Sequence, residues 1–328
     1  YASRGLGDVY KRQEQMDTNK LTQMIRIAKM HYELNYTQLE IAKKEGISKA
    51  TVSRILKSAM DMGIIEVRIK NSILNDTELE KELIAAYPIK RAVIVPDMVG
   101  NEQILLQDVC AAMISDLPRY IKNDSILGVF YGHTLTVMAR QLPRLKRHGV
   151  SVIQLAGGFS RAMYESNALS ILSSFAECVG GTAYPIPAPA MVEKPFIVEA
   201  LKQDSQIARV LDMAEVCDTA IFSVGNLERP SVLYEMGMIT HEEYQDMIHR
   251  GVIGDCCSHF LNCDGNIFDQ EMDARVVGAS LATIKKIPNK LLVVSGKEKK
   301  EVIHAALIGG LADSLYIDAP TARELLKQ

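Results

Sequence analysis

The stretch that most limits what this chain can become runs from Tyr36 to Arg54, YTQLEIAKKEGISKATVSR. Cap, apolar and breaker residues fall there at spacings that predict two short helices meeting at a steep angle. Thr37 is placed to cap a first helix carrying Leu39, Ile41 and Ala42, since a hydroxyl just ahead of a helix accepts from one of its free N–H groups. Gly46 ends that helix, because glycine takes up the left-handed backbone after a helix end without a steric cost. Ile47 plugs the turn, and Ser48 caps a second helix whose inward positions, Val52, Ile55 and Leu56, recur with the helical period. Ala42 is small where the helices cross; Gly46 follows it by four residues, Val52 by ten and Ile55 by thirteen, the spacing of a helix-turn-helix. Ser48, Lys49, Ala50, Thr51, Ser53 and Arg54 then lie on or near the outward start of the second helix, the part that enters a DNA major groove. Thr37, Gln38 and Lys57 complete the expected DNA-contacting set. The alternative for these residues alone is an ordinary helical hairpin.

Charge supports a division of labour. Residues 16–70 hold 10 Lys+Arg against 6 Asp+Glu, whereas residues 71–328 hold 24 against 32. A small basic head on an acidic body fits a nucleic-acid-binding head carried by a domain that stays off phosphate backbones. The length, 328 residues, suggests two domains, and 48% apolar residues are enough for a sizeable core. No apolar run is long enough to span a bilayer and no secretory signal is recognisable, so a cytoplasmic protein is expected. Six cysteines, Cys110, Cys178, Cys217, Cys256, Cys257 and Cys263, form no CxxC pair and no zinc spacing with histidine, which points to reduced thiols and no metal.

The opening YASRGLGDVYKRQ has neither helical nor strand period and looks foreign, like an adapter-derived tail. Residues 1–15 are therefore set apart, with Met16 as the expected start. Leu21, Met24, Ile25, Ala28 and Tyr32 predict an amphipathic helix over 18–34 that gives the head a third helix. Beyond Ala59, Met62 and a Gly63 stop, residues 64–69 predict one wing-like strand, with Arg68 and Lys70 as potential phosphate contacts. The expected domains are a head at 16–70, a linker at 71–76 and a body at 77–328.

In the body, Thr77 with Glu80 predicts a capping box. Strands are expected at 91–95, 125–130, 150–155, 182–187, 219–224, 251–255, 291–294 and 314–317. Helices are expected near 77–86, 101–120, 134–141, 165–179, 193–203 and 204–216. This alternation predicts an α/β fold, a Rossmann-like parallel sheet with helices on both faces. Ligands bind such sheets beyond the carboxyl ends of their strands. Five ends expected to converge carry glycine: Phe130 into Tyr131-Gly132-His133-Thr134, Leu155 into Gly157-Gly158, Val224 into Gly225-Asn226, Ile253 into Gly254-Asp255, and Val294 into Ser295-Gly296 and the Lys297–Lys300 cluster. Glycine lets backbone N–H groups approach an anion, a threonine hydroxyl and a lysine complete a phosphate cradle, and Asp255 and Asn226 suit sugar hydroxyls. GxGxxG and GxxxxGK[ST] are absent, as is GxSxG, so neither a dinucleotide cofactor, nucleotide hydrolysis nor a serine nucleophile is indicated. His133 is the only histidine in a candidate loop, and a lone histidine more often packs than catalyses.

Two sets of residues together carry a family resemblance: TQLEIAKKEGISKATVSRILKSAMDMGIIEVRI in the head, and LGVFYGHTL, QLAGG, YPIPAPA, VLDMAEVCDTAIFSVGN, GVIGDCCSHFLNCDG and SGKEKKEVIHAALIGGLADSLYIDAPTARELL in the body. From about Leu21 onward the chain resembles the SorC-type sugar-responsive transcriptional regulators. The resemblance implies a DNA-binding head of winged type, a sugar-binding domain similar to phosphosugar isomerases, and homo-oligomers, often tetramers, whose grip on an operator in double-stranded DNA changes with a sugar or phosphosugar effector. It implies that the Gly132–Thr134 loop, Gly157-Gly158 and Lys299 meet the effector's phosphate and that Asp255 faces the sugar; Tyr131, His133 and Asn226 join this effector set. Phe130 stands where the family often has a second glycine, and His133 where it often has another basic or polar residue. A regulator of carbohydrate metabolism is expected, without cofactor or catalysis. The alternative is a phosphosugar isomerase-like or aldolase-like enzyme with a fused DNA-binding head.

Overall fold

The computed structural model describes residues 4–65, 77–158, 168–227, 232–235, 237 and 239–327, with side chains from Thr18 onward except those of Val232 and Glu235. The chain divides into two compact units, Tyr1–Lys70 and Asn71–Gln328.

The head contains α1 (Arg4–Tyr32), α2 (Gln38–Glu45) and α3 (Lys49–Asp61). Thr37 and Glu40 form a reciprocal capping box on α2, and Gly46 ends it at φ 67°, its N–H bonded to Ala42 O. Ser48 caps α3 by accepting from Thr51 N at 3.1 Å. Ile27, Ile41, Ala42, Val52 and Leu56 form the core, with Ile47, Ile55 and Ile65 packed against it. Arg26 bridges both oxygens of Glu45 at 2.7 Å, tying α1 to the end of α2. Three expectations need correction. The first helix begins at Arg4 rather than near residue 18. Its buried face centres on Ile27, not on Leu21 and Ile25, which are 40% and 39% exposed. Leu39 on α2 is also exposed. The apolar residues of α1 make two adjacent stripes, and only contact with α2 and α3 selects one. Most of the expected wing, Arg68, Lys70 and the linker at 71–76 lie outside the described residues.

The body opens with α4 (Thr77–Ala86), β1 (Arg91–Val95), α5 (Glu102–Tyr120), β2 (Ile126–Val129), α6 (His133–Ala139), β3 (Ser151–Gln154), α7 (Ala168–Val179) and β4 (Thr182–Tyr184). It continues through α8 (Pro195–Lys202), α9 (Ser205–Glu215), β5 (Thr219–Phe222), β6 (Val224–Gly225), α10 (Val232–Glu235), α11 (His241–His249), β7 (Gly254–Cys256) and β8 (His259–Leu261). It closes with α12 (Gln270–Asp273), α13 (Leu281–Lys286), β9 (Asn289–Val294), α14 (Lys300–Ile308), β10 (Ser314–Asp318) and α15 (Ala319–Leu325).

Seven strands form one sheet in the order β1-β10-β9-β5-β2-β3-β4, with every neighbouring pair parallel. Strands β5 and β10 are buried at every position, and β9 at all but its first. Successive side chains point to opposite faces, so burial without alternation means that both faces are covered. Between β5 and β2 the direction of progress reverses: β2, β3 and β4 step towards one edge, and β5, β9 and β10 towards the other. Connections diverge at such a point and leave a crevice beyond the strand ends.

The expected strand over 219–224 breaks at Ser223. Phe222 ends β5, while Val224 begins β6, which joins β7 and β8 in a separate antiparallel sheet. The expected strand over 251–255 likewise belongs to that small sheet, as β7. In α4, Thr77 lies inside the helix rather than ahead of it, and the Glu80 carboxylate accepts from Ile94 N at 3.2 Å, holding α4 against β1.

Candidate functional site

On the head, Ser48, Lys49, Ala50, Ser53, Arg54 and Lys57 are exposed along the start and outer face of α3, and Thr51 is half-buried among them. Thr51 Oγ1 lies 2.9 Å from Ser48 Oγ and accepts from Arg54 Nη2 at 3.3 Å. The guanidinium is thus steadied along the first turns of the helix. Thr37 is exposed and Gln38 half-buried at the start of α2. The Thr37 hydroxyl is already spent on Glu40.

On the body, a cleft of about 840 Å3 opens over the carboxyl ends of β1, β10, β9, β5 and β2. One of its lining carboxylates is Asp255 on β7, opposite Gly225 on β6. A Cβ on Gly225 would stand 2.5 Å from Asp255 Oδ1, so the glycine makes room for the carboxylate. Burial pushes the Asp255 carboxyl up to about 6, against the opposing pull of Ser258 N–H, His259 and Lys299. The two-residue turn from β7 to β8 holds Cys257 at φ 53° and Ser258 at φ 70°, a conformation that hairpins normally give to Asn-Gly. His259 anchors that turn, with Nδ1 2.6 Å from Asp273 Oδ1 and Nε2 2.9 Å from Ala279 O. Tyr131 Oη, Ser223 Oγ and Ser258 Oγ are buried and have no hydrogen-bond partner among the described residues. At the β10 end, the Asp318 carboxylate accepts from Gly296 N, Thr321 N and Thr321 Oγ1, latching the turn after β9 to the start of α15.

The structure brings together Tyr131, Gly132, His133, Thr134, Asn226, Asp255 and Lys299 around this cleft. Gly157 and Gly158 are not among its described lining. They follow β3, beyond β2 from the reversal in the sheet, and both have packing reasons to be glycine. A Cβ on Gly157 would lie 2.4 Å from Ala188 O, and one on Gly158 2.4 Å from Ala168 Cβ. The Gly157 N–H is also given to Val277 O, which removes it as an anion donor. Asn226 Nδ2 donates to Glu298 O at 3.0 Å, leaving its side-chain oxygen for a ligand. The sequence reading missed Asp97, Ser223, Ser258, Asp318 and Thr321 in the lining. Asp318 carried a signal, a strand-end Asp ahead of Ala-Pro-Thr, which is a helix cap with proline in the first turn. Lone serines such as Ser223 and Ser258 carried none.

Two family models match the chain. The "Winged helix-turn-helix DNA-binding" model covers residues 35–66, and the "Putative sugar-binding domain" model covers residues 71–327, well over half the chain. The chain belongs to the SorC-type family of sugar-binding transcriptional regulators. The deoxyribonucleoside regulator of Bacillus subtilis (strain 168) is 28% identical over 315 residues, which cover 95% of this chain and 99% of that protein. The erythritol catabolism regulatory protein EryD of Brucella abortus (strain 2308) is 26% identical over 93% of this chain and 96% of its own. The crystal structure of the full-length sorbitol operon regulator SorC from Klebsiella pneumoniae shares the fold, with TM-score 0.70 and 24% identity over 92% of this chain and 98% of that one. Like these members of the SorC-type family, the protein is a DNA-binding transcriptional regulator with a sugar-binding body. No helix among its described residues is long and apolar enough to cross a membrane.

Proposed function

We propose that the cleft binds a sugar or sugar phosphate and that its occupancy sets how tightly the head, residues 16–70, holds an operator in DNA. The observation that carries this reading is the mixed chemistry of one lining. Lys297 and Lys299, beside the glycines at 132 and 296, suit a phosphate, while Asp255 and the Asn226 side-chain oxygen suit hydroxyls. The relatives' names point to the broad class of sugar-derived compounds. On the head, Arg54 reads a base edge, while Lys49 and Lys57 engage phosphates. Residues 71–76 act as the linker, and residues 77–328 bind the effector and hold two or more copies together, so that paired heads meet symmetry-related half-sites.

The body acts as a sensor and not as an enzyme. His133 is the one histidine among the described lining residues, and the relatives are named as regulators. Only a ligand that favours one arrangement of subunits over another can shift operator affinity. The test is fluorescence anisotropy with DNA from upstream of the protein's own gene, titrated with and without a panel of sugars and sugar phosphates. At least one member should change operator affinity about tenfold or more, within the usual range of coupling between sites. Asp255→Ala should abolish that response and retain DNA binding. Turnover of a panel member that is lost in His133→Ala or Asp255→Ala would refute the sensor reading.

A further inference from the structure

Tyr131, Ser223 and Ser258 come from three separate segments: the loop after β2, the break between β5 and β6, and the β7–β8 turn. Their hydroxyls find no partner among the described residues, though Tyr131 is only 4% exposed and Ser258 0%. Buried polar side chains are otherwise nearly always paired, because leaving one unpaired costs its full desolvation. The Tyr131 and Ser258 hydroxyls lie close enough for one weak hydrogen bond to each other, short of full hydrogen-bond geometry. Even a bond between them would leave donor and acceptor capacity to spare. All three residues line the same cavity as Asp255. Asp255 acts electrostatically on Tyr131 and accepts from the Ser258 backbone. The positive φ of Cys257 and Ser258 is a conformation that non-glycine residues rarely adopt unless the surroundings impose it.

The three groups are neutral: serine hydroxyls do not ionise in water, and burial drives the Tyr131 phenol far above its ordinary value. A neutral set beside a carboxylate cannot balance a phosphate. It can give and take hydrogen bonds with an uncharged carbon chain in which each hydroxyl is both donor and acceptor. We propose that Tyr131, Ser223, Ser258 and Asp255 form a hydroxyl-reading subsite for the uncharged end of the ligand, which admits chains hydroxylated there and rejects chains deoxygenated there. This rests on the effector reading of the cleft and adds which ligands it selects. A deoxygenated ligand would enclose the same hydroxyls and carboxylate without partners, the situation in which binding sites discriminate most sharply.

The experiment titrates the full-length protein calorimetrically with matched pairs: ribose 5-phosphate against 2-deoxyribose 5-phosphate, and glucose 6-phosphate against 2-deoxyglucose 6-phosphate. It also compares thermal melting of the ligand-free parent with that of the Tyr131→Phe/Ser258→Ala double variant. In a pair that binds, the hydroxylated member should be about 100-fold tighter or more, and the double variant should cut that ratio below about tenfold, chiefly by weakening the hydroxylated member. Without ligand, the variant should melt within about 2 °C of the parent or higher, because the two hydroxyls bond at most to each other and both are removed together. Equal affinity within every pair that binds, an unchanged ratio in the variant, or a ligand-free melting point lowered by more than about 5 °C would each overturn the subsite. A panel in which no member binds would overturn the effector reading, and the subsite with it.

Discussion

Burial raises the Asp255 carboxyl to about 6, whereas an unfolded chain titrates the same group near about 3.9. Below about pH 4 both states hold the proton. As the pH rises, the unfolded chain releases it first, so the stability carried by the protonated native carboxyl is lost as pH climbs through about 6. The loss is on the order of 3 kcal/mol by neutral pH. Asp255→Asn should flatten stability between about pH 4 and 6.5 and raise the melting temperature at pH 7.5, which calorimetry at two pH values measures. A ligand whose hydroxyls donate to the carboxylate favours its ionised form, so effector affinity should fall as pH drops below about 6. On the head, Arg54→Ala should cost about 1–3 kcal/mol of operator binding and relax specificity at one base position, read from a substituted operator series. Unchanged affinity there would contradict the assignment of Arg54 to the groove.

The glycines at the ends of α2 and in β6 serve different ends, and the same substitution separates them. Gly46 sits at φ 67° with open space where a Cβ would go, so Gly46→Ala should cost only backbone strain, about 1 kcal/mol of head stability in chemical denaturation. Gly225→Ala would instead press against the Asp255 carboxylate, and should blunt the effector response while operator affinity without effector stays near that of the parent. The caps at Thr37, Gly46 and Ser48 were legible from sequence because their chemistry is local: each side chain or backbone meets a group within four residues. The rotation of α1 onto Ile27 was not, since only α2 and α3 choose between its two apolar stripes. The packing role of the Gly157-Gly158 pair was hidden for the same reason; its glycines answer to Ala188, Pro189 and Ala168, which no local pattern reveals. In 219–224, the run TAIFSV hid a change of sheet at Ser223, because Val224 beyond the break is buried like the residues of β5 before it.

Across the whole molecule, the basic head and acidic body predict a salt dependence that belongs to the head alone. Neutralising one phosphate contact, as in Lys49→Ala or Lys57→Ala, should reduce the slope of log affinity against log salt by about 0.9 and weaken all DNA sequences alike. A slope unchanged in both variants would place those lysines off the backbone. The order of residues around the cleft also has a consequence in time. Its lining draws on loops from Asp97 to Thr321, and the Asp318 carboxylate that latches Gly296 is among the last groups to be made. At about 5–20 residues per second, the roughly 250 residues between head and latch take between about ten and fifty seconds to synthesise. A newly made chain therefore has a finished DNA-reading head long before it has anything with which to sense its ligand, and a premature stop between the end of the head and Thr321 would leave that condition permanent.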